Sequence, residues 1–155
     1  MGKEQKYGLK MRKLALFKKD FGRYEQIAED NWSHLDMEIH EHPIIKGKVA
    51  SINSCILHKD YKGLEHYIAR HNAYSSWEAM RFMNLKKDKV TKPTLRQNLK
   101  YSLIQTGFLP YLYFIGTYIF KLGFLDGLSG FYFARYKANY FFQIQTKIKE
   151  LKSKK

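Results

Sequence analysis

EIHEHPIIKGKVASINSCILH, residues 38–58, is the stretch around which the rest of the chain is organised. It gathers three histidines and two glutamates beside a proline, and no other part of the sequence is as rich in these side chains. Imidazole and carboxylate groups abstract protons and bind divalent metals near neutral pH. The second half of the stretch is apolar and partly β-branched, which predicts a short strand over residues 48–58.

The consecutive residues His40, Glu41 and His42 are the first candidates for a chemical site. In an extended backbone His40 and His42 share one face and Glu41 points the other way. Pro43 favours that extended backbone at His42, and two imidazoles at this spacing can chelate a metal. His58 closes the predicted strand and can return to the same site. The alternative is a loop in which these side chains are simply hydrated.

The sequence before this stretch predicts little regular structure. Residues 1–12 are polar, and we expect them to be loose, whereas LALF at residues 14–17 predicts a second buried strand. Cys55 is the single cysteine, so the chain forms no internal disulfide. Its apolar-leaning surroundings predict a buried, unreactive thiol, which fits a reducing compartment.

After residue 60 the apolar period changes from that of a strand to that of a helix. Leu64, Tyr67 and His71 recur at steps of three and four residues, which predicts an amphipathic helix over residues 61–86. Thr94 follows a proline and is suited to cap the start of a second helix.

Residues 101–120, YSLIQTGFLPYLYFIGTYIF, contain no charged side chain. Twenty helical residues extend about 30 Å, the thickness of a hydrocarbon core. However, the run contains two glycines, a proline and four tyrosines, and tyrosine prefers the headgroup level. Of the 25 aromatic residues in the chain, 15 lie between positions 101 and 142. This density, with lysines on both flanks, predicts a helical hairpin in the membrane interface; a soluble aromatic core is the alternative.

The side chains expected at the membrane are all aromatic: Tyr111, Tyr113, Phe114, Tyr118, Phe120, Phe124 and Phe131. Three segments follow from these patterns. Residues 1–60 hold the strands and the His-Glu loop, residues 61–100 hold connecting amphipathic helices, and residues 101–155 hold the interfacial hairpin and a basic tail. The predicted fold class is therefore α+β and mostly helical, with a few short strands.

The positive charge is concentrated in the second part of the chain. Residues 1–60 hold 11 Lys and Arg against 9 Asp and Glu, and residues 61–155 hold 17 against 5, so the net charge of +14 divides into +2 and +12. Such a field favours an anionic partner, either nucleic acid, anionic lipid or a phosphorylated substrate. We expect no nucleic-acid partner, because the aromatic residues cluster in an uncharged run instead of alternating with basic residues along a stacking groove.

Several motifs of catalytic and nucleotide-binding sites are absent. The chain has no Gly-rich phosphate loop, no Cys/His zinc spacing and no GxSxG nucleophile motif. It also lacks an Asp-x-Asp pair, the arrangement by which sugar-nucleotide enzymes hold a metal on the diphosphate.

Four stretches of the chain resemble the C-terminal portion of bacterial family 2 glycosyltransferases of the GT-A type. The resemblance is greatest to the branch similar to lipopolysaccharide-core and capsule glucosyltransferases. The stretches are LALFKKDFGRYE (14–25), IHEHPIIKGKV (39–49), ILHKDYKGLEHYIARHNAYSSWEA (56–79) and KLGFLDGLSGFYFARYKANYFF (121–142). They cover most of the chain in the family's order, and GFLDGLSG is the most specific piece.

The resemblance implies roles for residues of the His-Glu pair and its surroundings. Glu41, with His40 beside it, resembles the catalytic base that deprotonates the acceptor hydroxyl in an inverting transfer. His58 resembles the histidine that assists a divalent metal, Mg or Mn, or the donor diphosphate. His42 is a weaker metal candidate. A carboxylate can accept a hydroxyl proton in the transition state, and an imidazole can complete a metal's coordination.

The resemblance also implies partners and a location. The intact enzyme would use a nucleotide-sugar donor and a lipid-linked or glycan acceptor, and its aromatic helices would lie on the cytoplasmic face of the inner membrane. The family's nucleotide-binding half, with its Asp-x-Asp motif, has no counterpart here. We therefore expect that half on a separate chain or in a separate reading frame, and no transfer by this chain alone. The alternative function is a small basic membrane-surface interaction protein without catalysis.

Overall fold

A computed structural model describes residues 4–9, 12–14, 16–24, 43–56, 62–85 and 95–154. The chain divides into two compact units, residues 11–60 and residues 1–10 with 61–155. The second unit is helical and the first contains a two-stranded antiparallel sheet. The prediction of an α+β chain that is mostly helical is confirmed.

The small sheet lies in the unit of residues 11–60. Strand β1, Gly22–Tyr24, follows a single 3-10 turn and pairs with strand β2, Pro43–Ile45. The register places Arg23 opposite Ile44. Phe17 packs edge-on against Tyr24, with ring centroids 5.8 Å apart.

The two predicted strands of this unit are wrong in position. Residues 48–56 form no strand, and Val49, Ile52 and Ile56 are 61–72% exposed. Side chains alternate between the two sides of a strand, so apolar residues spaced by three and four positions do not form one apolar face. Cys55 in the same run is exposed, not buried as predicted. The described residues of the LALF run also lie outside any strand.

The described residues of the other unit form the α-helices α1, Gly63–Leu85; α2, Leu95–Thr106; α3, Leu109–Ile115; and α4, Leu128–Ser153. A π-helical turn, Gly116–Phe120, extends α3, and a 3-10 turn, Gly123–Asp126, precedes α4. The chain bends by 105° between α2 and α3. The bend is placed at Gly107, whose φ of +83° is a left-handed backbone that glycine adopts without strain.

Helix α4 contacts each of the other helices. It runs parallel to α1, because Tyr67 lies beside Tyr136 and Ser75 beside Gln143. It runs antiparallel to α3, because Tyr113 lies beside Phe141 and the following π turn reaches the start of α4. The largest buried cluster joins α1, α2 and α4 and consists of Ala79, Phe82, Tyr101, Ile104, Ile144 and Ile148.

The N-terminal segment at residues 4–9 packs on the start of α4, contrary to the expectation that it is loose. The buried carboxylate of Asp126 accepts hydrogen bonds from the backbone N–H groups of Lys6, at 3.1 Å, and Tyr7, at 2.9 Å. The N–H of Gly8 donates to the carbonyl of Lys121 at 2.9 Å. One buried acid far along the sequence thus fixes this segment.

Candidate functional site

The predicted chemical residues lie outside the described part of the chain. This applies to the base candidate Glu41, to His40 and to the metal candidates His42 and His58. Strand β2 begins immediately after this cluster, at Pro43. Within the described residues, no three His, Cys, Asp or Glu side chains are gathered in a way that could hold a metal ion. The catalytic roles therefore remain predictions from sequence.

The described part of the chain presents a second candidate, an exposed apolar surface on α3 and the start of α4. Its members lie between positions 108 and 132 and are 36–79% exposed. They are Phe108, Tyr111, Leu112, Ile115, Ile119, Phe120, Leu122, Phe124, Leu125, Leu128, Phe131 and Tyr132. Single exposed apolar residues are ordinary on proteins, but a concentration of this kind marks a contact with a membrane, a ligand or another protein. We call this set the apolar surface.

The seven aromatic residues predicted at the membrane divide between the apolar surface and the packing beneath it. Tyr111, Phe120, Phe124 and Phe131 are exposed. The other three are half-buried: Tyr113 packs on Phe141 with ring centroids 4.9 Å apart, and Phe114 stacks on Tyr118 at 5.3 Å. These half-buried rings pack α3 and its π turn against α4, through Phe141 and Phe131.

Sequence reasoning missed the aliphatic half of the apolar surface. Leu112, Ile115 and Ile119 are 41–52% exposed. With Phe108 they are spaced by four, three and four residues, which places them on one face of a helix. The signal was therefore present in the sequence, although attention to aromatic residues alone hides it.

The apolar surface carries almost no charge. Between positions 101 and 134 the only charged residues are Lys121 and Asp126. Asp126 is buried and accepts the two backbone hydrogen bonds described above. An uncharged surface of this kind does not suit a nucleic acid, whose phosphates bind to lysine and arginine.

No single helix among the described residues is both long and apolar enough to cross a bilayer. The bent pair Asn98–Thr106 and Leu109–Phe120 meets the length and composition criteria only when its two parts are taken together.

The GFLDGLSG motif folds into the sharp corner between α3 and α4. A methyl group on Gly130 would lie 1.9 Å from the carbonyl oxygen of Gly123, so the two backbones touch at this point. Leu122, just before the motif, has a left-handed backbone with φ of 58°, which costs a non-glycine residue about 1–2 kcal/mol. The aspartate of the motif is Asp126. In this chain the motif therefore shapes the fold and does not present a reactive group.

A polar cluster lies on the opposite side of α4, where it meets α1. The Nδ1–H of His71 donates to the carbonyl of Tyr67 at 2.9 Å, and its Nε2 lies 3.4 Å from the Lys137 ammonium. Burial, together with the charges of Lys137 and Arg70, lowers the pKa of His71. Burial and the charge of Arg70 lower the pKa of Lys137. We call His71, Arg70 and Lys137 the cationic seam.

Farther along α1, polar groups join it to α2 and to α4. Glu78 is buried and accepts hydrogen bonds from the Lys100 ammonium and the Tyr101 hydroxyl. Burial and Glu78 raise the pKa of Tyr101 above its ordinary value. The Lys147 ammonium lies 2.7–2.8 Å from four oxygens of Asn72, Ser75 and Ser76. These contacts join helices and do not present a reactive group.

Comparison of the chain with protein-family models, with curated proteins and with solved structures found no match. The glycosyltransferase resemblance accordingly rests on the quoted motifs. The geometry adds an apolar surface that overlaps the start of the last of them and a fold-shaping role for GFLDGLSG.

Proposed function

We propose that this chain is the acceptor-side, membrane-associated part of an inverting glycosyltransferase that builds cell-envelope polysaccharide or lipopolysaccharide. The observation that carries the proposal is the apolar surface. It is formed by the same segment that, in the family resembled, lies at the membrane where a lipid-linked acceptor is presented. The chain would then act beside a nucleotide-sugar-binding half that holds the donor and its divalent metal.

The composition of the apolar surface favours lipid over a protein partner. It combines aliphatic side chains with tyrosines, which have an apolar ring and a polar hydroxyl and are enriched at the headgroup level. Lys121 lies exposed between its helices, and the tail of α4 is basic, so anionic headgroups would be attracted. With the family resemblance, we propose that the chain is a peripheral or monotopic protein on the cytoplasmic face of the inner membrane.

The membrane part of the proposal is tested by flotation of the purified chain with phosphatidylglycerol vesicles. Phe120 is 79% exposed, so Phe120→Glu leaves the helical packing intact. Burial of a phenylalanine side chain contributes about 1.5–3 kcal/mol, and we expect the variant to partition about tenfold or more weakly. Leu16 is 77% exposed in the other unit, and Leu16→Glu is the matched control. Equal binding of both variants, or release of the wild type by high salt alone, would contradict membrane docking.

The catalytic part is tested by co-expression of this chain with the nucleotide-sugar-binding half and measurement of sugar transfer to a lipid-linked acceptor. Glu41→Gln keeps the shape of the side chain and removes the base, and loss of general-base assistance costs about 10²–10⁴-fold in rate. Acceptor binding should persist. Lys46→Ala, an exposed residue just after β2, is the control. Transfer by Glu41→Gln at the wild-type rate would rule out this role for Glu41.

A non-catalytic membrane-surface protein is the second candidate. The turn between α3 and α4 favours this candidate, because the residues of GFLDGLSG there are used in packing and in hydrogen bonds to the backbone. If flotation succeeds and no donor-binding half restores transfer, this second function replaces the first.

A further inference from the structure

We propose that the cationic seam between α1 and α4 is a binding site for a phosphate or diphosphate group. This site goes beyond the membrane and transfer roles, because it rests on Lys137 and His71 and requires neither membrane binding nor sugar transfer.

Lys137 has no carboxylate partner among the described residues, unlike Lys100, which pairs with Glu78, and Lys154, which pairs with Glu150. Its partners are the His71 ring and the face of Tyr140, whose centroid is 5.9 Å away. A half-buried ammonium without a counter-ion is costly. A bound anion would remove that cost.

The hydrogen bond of His71 to the backbone fixes the direction of its donor. A carbonyl oxygen can only accept, so the hydrogen bond to Tyr67 fixes the proton of neutral His71 on Nδ1. Nε2 therefore faces Lys137 with a lone pair. When His71 takes up a proton, Nε2–H and the Lys137 ammonium become two adjacent donors. Phosphate oxygens bind most strongly to such charged donors.

Aromatic rings surround His71. Tyrosine rings pack on His71 from both helices: Tyr67 stacks on it at 3.9 Å, and Tyr74 and Tyr140 meet it edge-on at 5.8 and 5.6 Å. The buried hydroxyl of Tyr67 has no hydrogen-bond partner among the described residues. The rings lower the local dielectric and so strengthen each charged contact.

The test titrates the purified full chain, in a non-ionic detergent, with inorganic pyrophosphate at constant ionic strength. We expect binding that chloride does not reproduce, and a Kd about ten- to a hundredfold weaker in Lys137→Met. Lys149→Met, on an exposed position of the same helix, should bind like the wild type. In the wild type, pyrophosphate should raise the pKa of His71 measured by proton NMR, and this readout does not depend on how the variants fold.

A second arm identifies the source of the phosphate. Vesicles with phosphatidic acid, a phosphomonoester, are compared with phosphatidylserine vesicles of equal surface charge. A preference for phosphatidic acid that disappears in Lys137→Met supports a lipid phosphate, and pyrophosphate binding without that preference supports a soluble one. The proposal is overturned if neither probe is preferred, or if Lys137→Met keeps the wild-type preference. Flotation on phosphatidylglycerol vesicles reports on the membrane proposal separately, so the two can fail independently.

Discussion

Helix α4 is packed by shape on one face and by polar chemistry on the other. Gly130, Ala134 and Ala138 are buried and spaced by four residues along one face, and Gly130 meets the backbone of Gly123 at the corner. Towards α1 the helix presents Lys137, Gln143 and Lys147, which are only half-buried. Small residues let backbones approach closely, whereas long polar ones keep helices apart and bridge them with hydrogen bonds. The face of small residues therefore holds the apolar surface in place. The polar face leaves charged groups within reach of a ligand.

Gly130→Ala should give the largest effect, because it adds a methyl group where the backbones are in contact on the face of small residues. The added methyl would meet the carbonyl of Gly123, which belongs to the backbone and cannot rotate away. We expect the free energy of unfolding, measured by urea titration in detergent, to fall by about 3 kcal/mol or more.

Gly116→Ala is the matched control for that variant. No atom beyond the local helix lies within 4 Å of a methyl group at this position. We expect no loss, or a gain of up to about 1 kcal/mol from the helix preference of alanine. Equal effects of the two substitutions would show that the corner tolerates a side chain and that its close packing is not what holds the helices.

Lys147→Met should give an intermediate effect, because it removes hydrogen bonds from the polar face without a steric clash. The ammonium has three protons for four nearby oxygens, so it satisfies several acceptors at once. We expect the free energy of unfolding to fall by about 1–2 kcal/mol. The exposed Lys149→Met should change it by less than about 0.5 kcal/mol. A loss no greater than that of Lys149→Met would mean that the bridge is replaced by water at no cost.

The sequence predicts the helices better than the contacts between them. Helix α1 and the uncharged aromatic hairpin follow from local periodicity and composition, since both depend on neighbours along the chain. The contact of Lys137 with His71 spans 66 residues, and that of Lys6 with Asp126 spans 120. No local pattern indicates which residues meet at such separations.

The strands show the same limit. The pairing of Gly22 with Ile45 depends on a partner more than twenty residues away, and strand formation depends on packing more than on intrinsic preference. Residues 48–56 have a composition typical of a strand, but they form no strand. The roles of Glu41 and His58 were inferred by resemblance and await the transfer assay.

The smallest effect we predict is a pH dependence that belongs only to the polar face. Burial, with the charges of Lys137 and Arg70, lowers the pKa of His71 in the folded chain; Tyr67, Tyr74 and Tyr140 also face the ring. Because the folded pKa lies below the unfolded value of about 6.5, the unfolded chain binds the proton first as the pH falls. The contribution of His71 is thus complete above about pH 6.5 and is lost as the pH falls through the folded pKa. His71→Gln cannot titrate, so the difference in unfolding free energy between wild type and variant should shrink from pH 7 to pH 5. In a Lys137→Met background this change should be smaller, because one cause of the shift is gone. A difference that stays constant over this range in both backgrounds would mean that His71 is not held neutral by its surroundings, and the contrast between the two faces of α4 would then be one of shape alone.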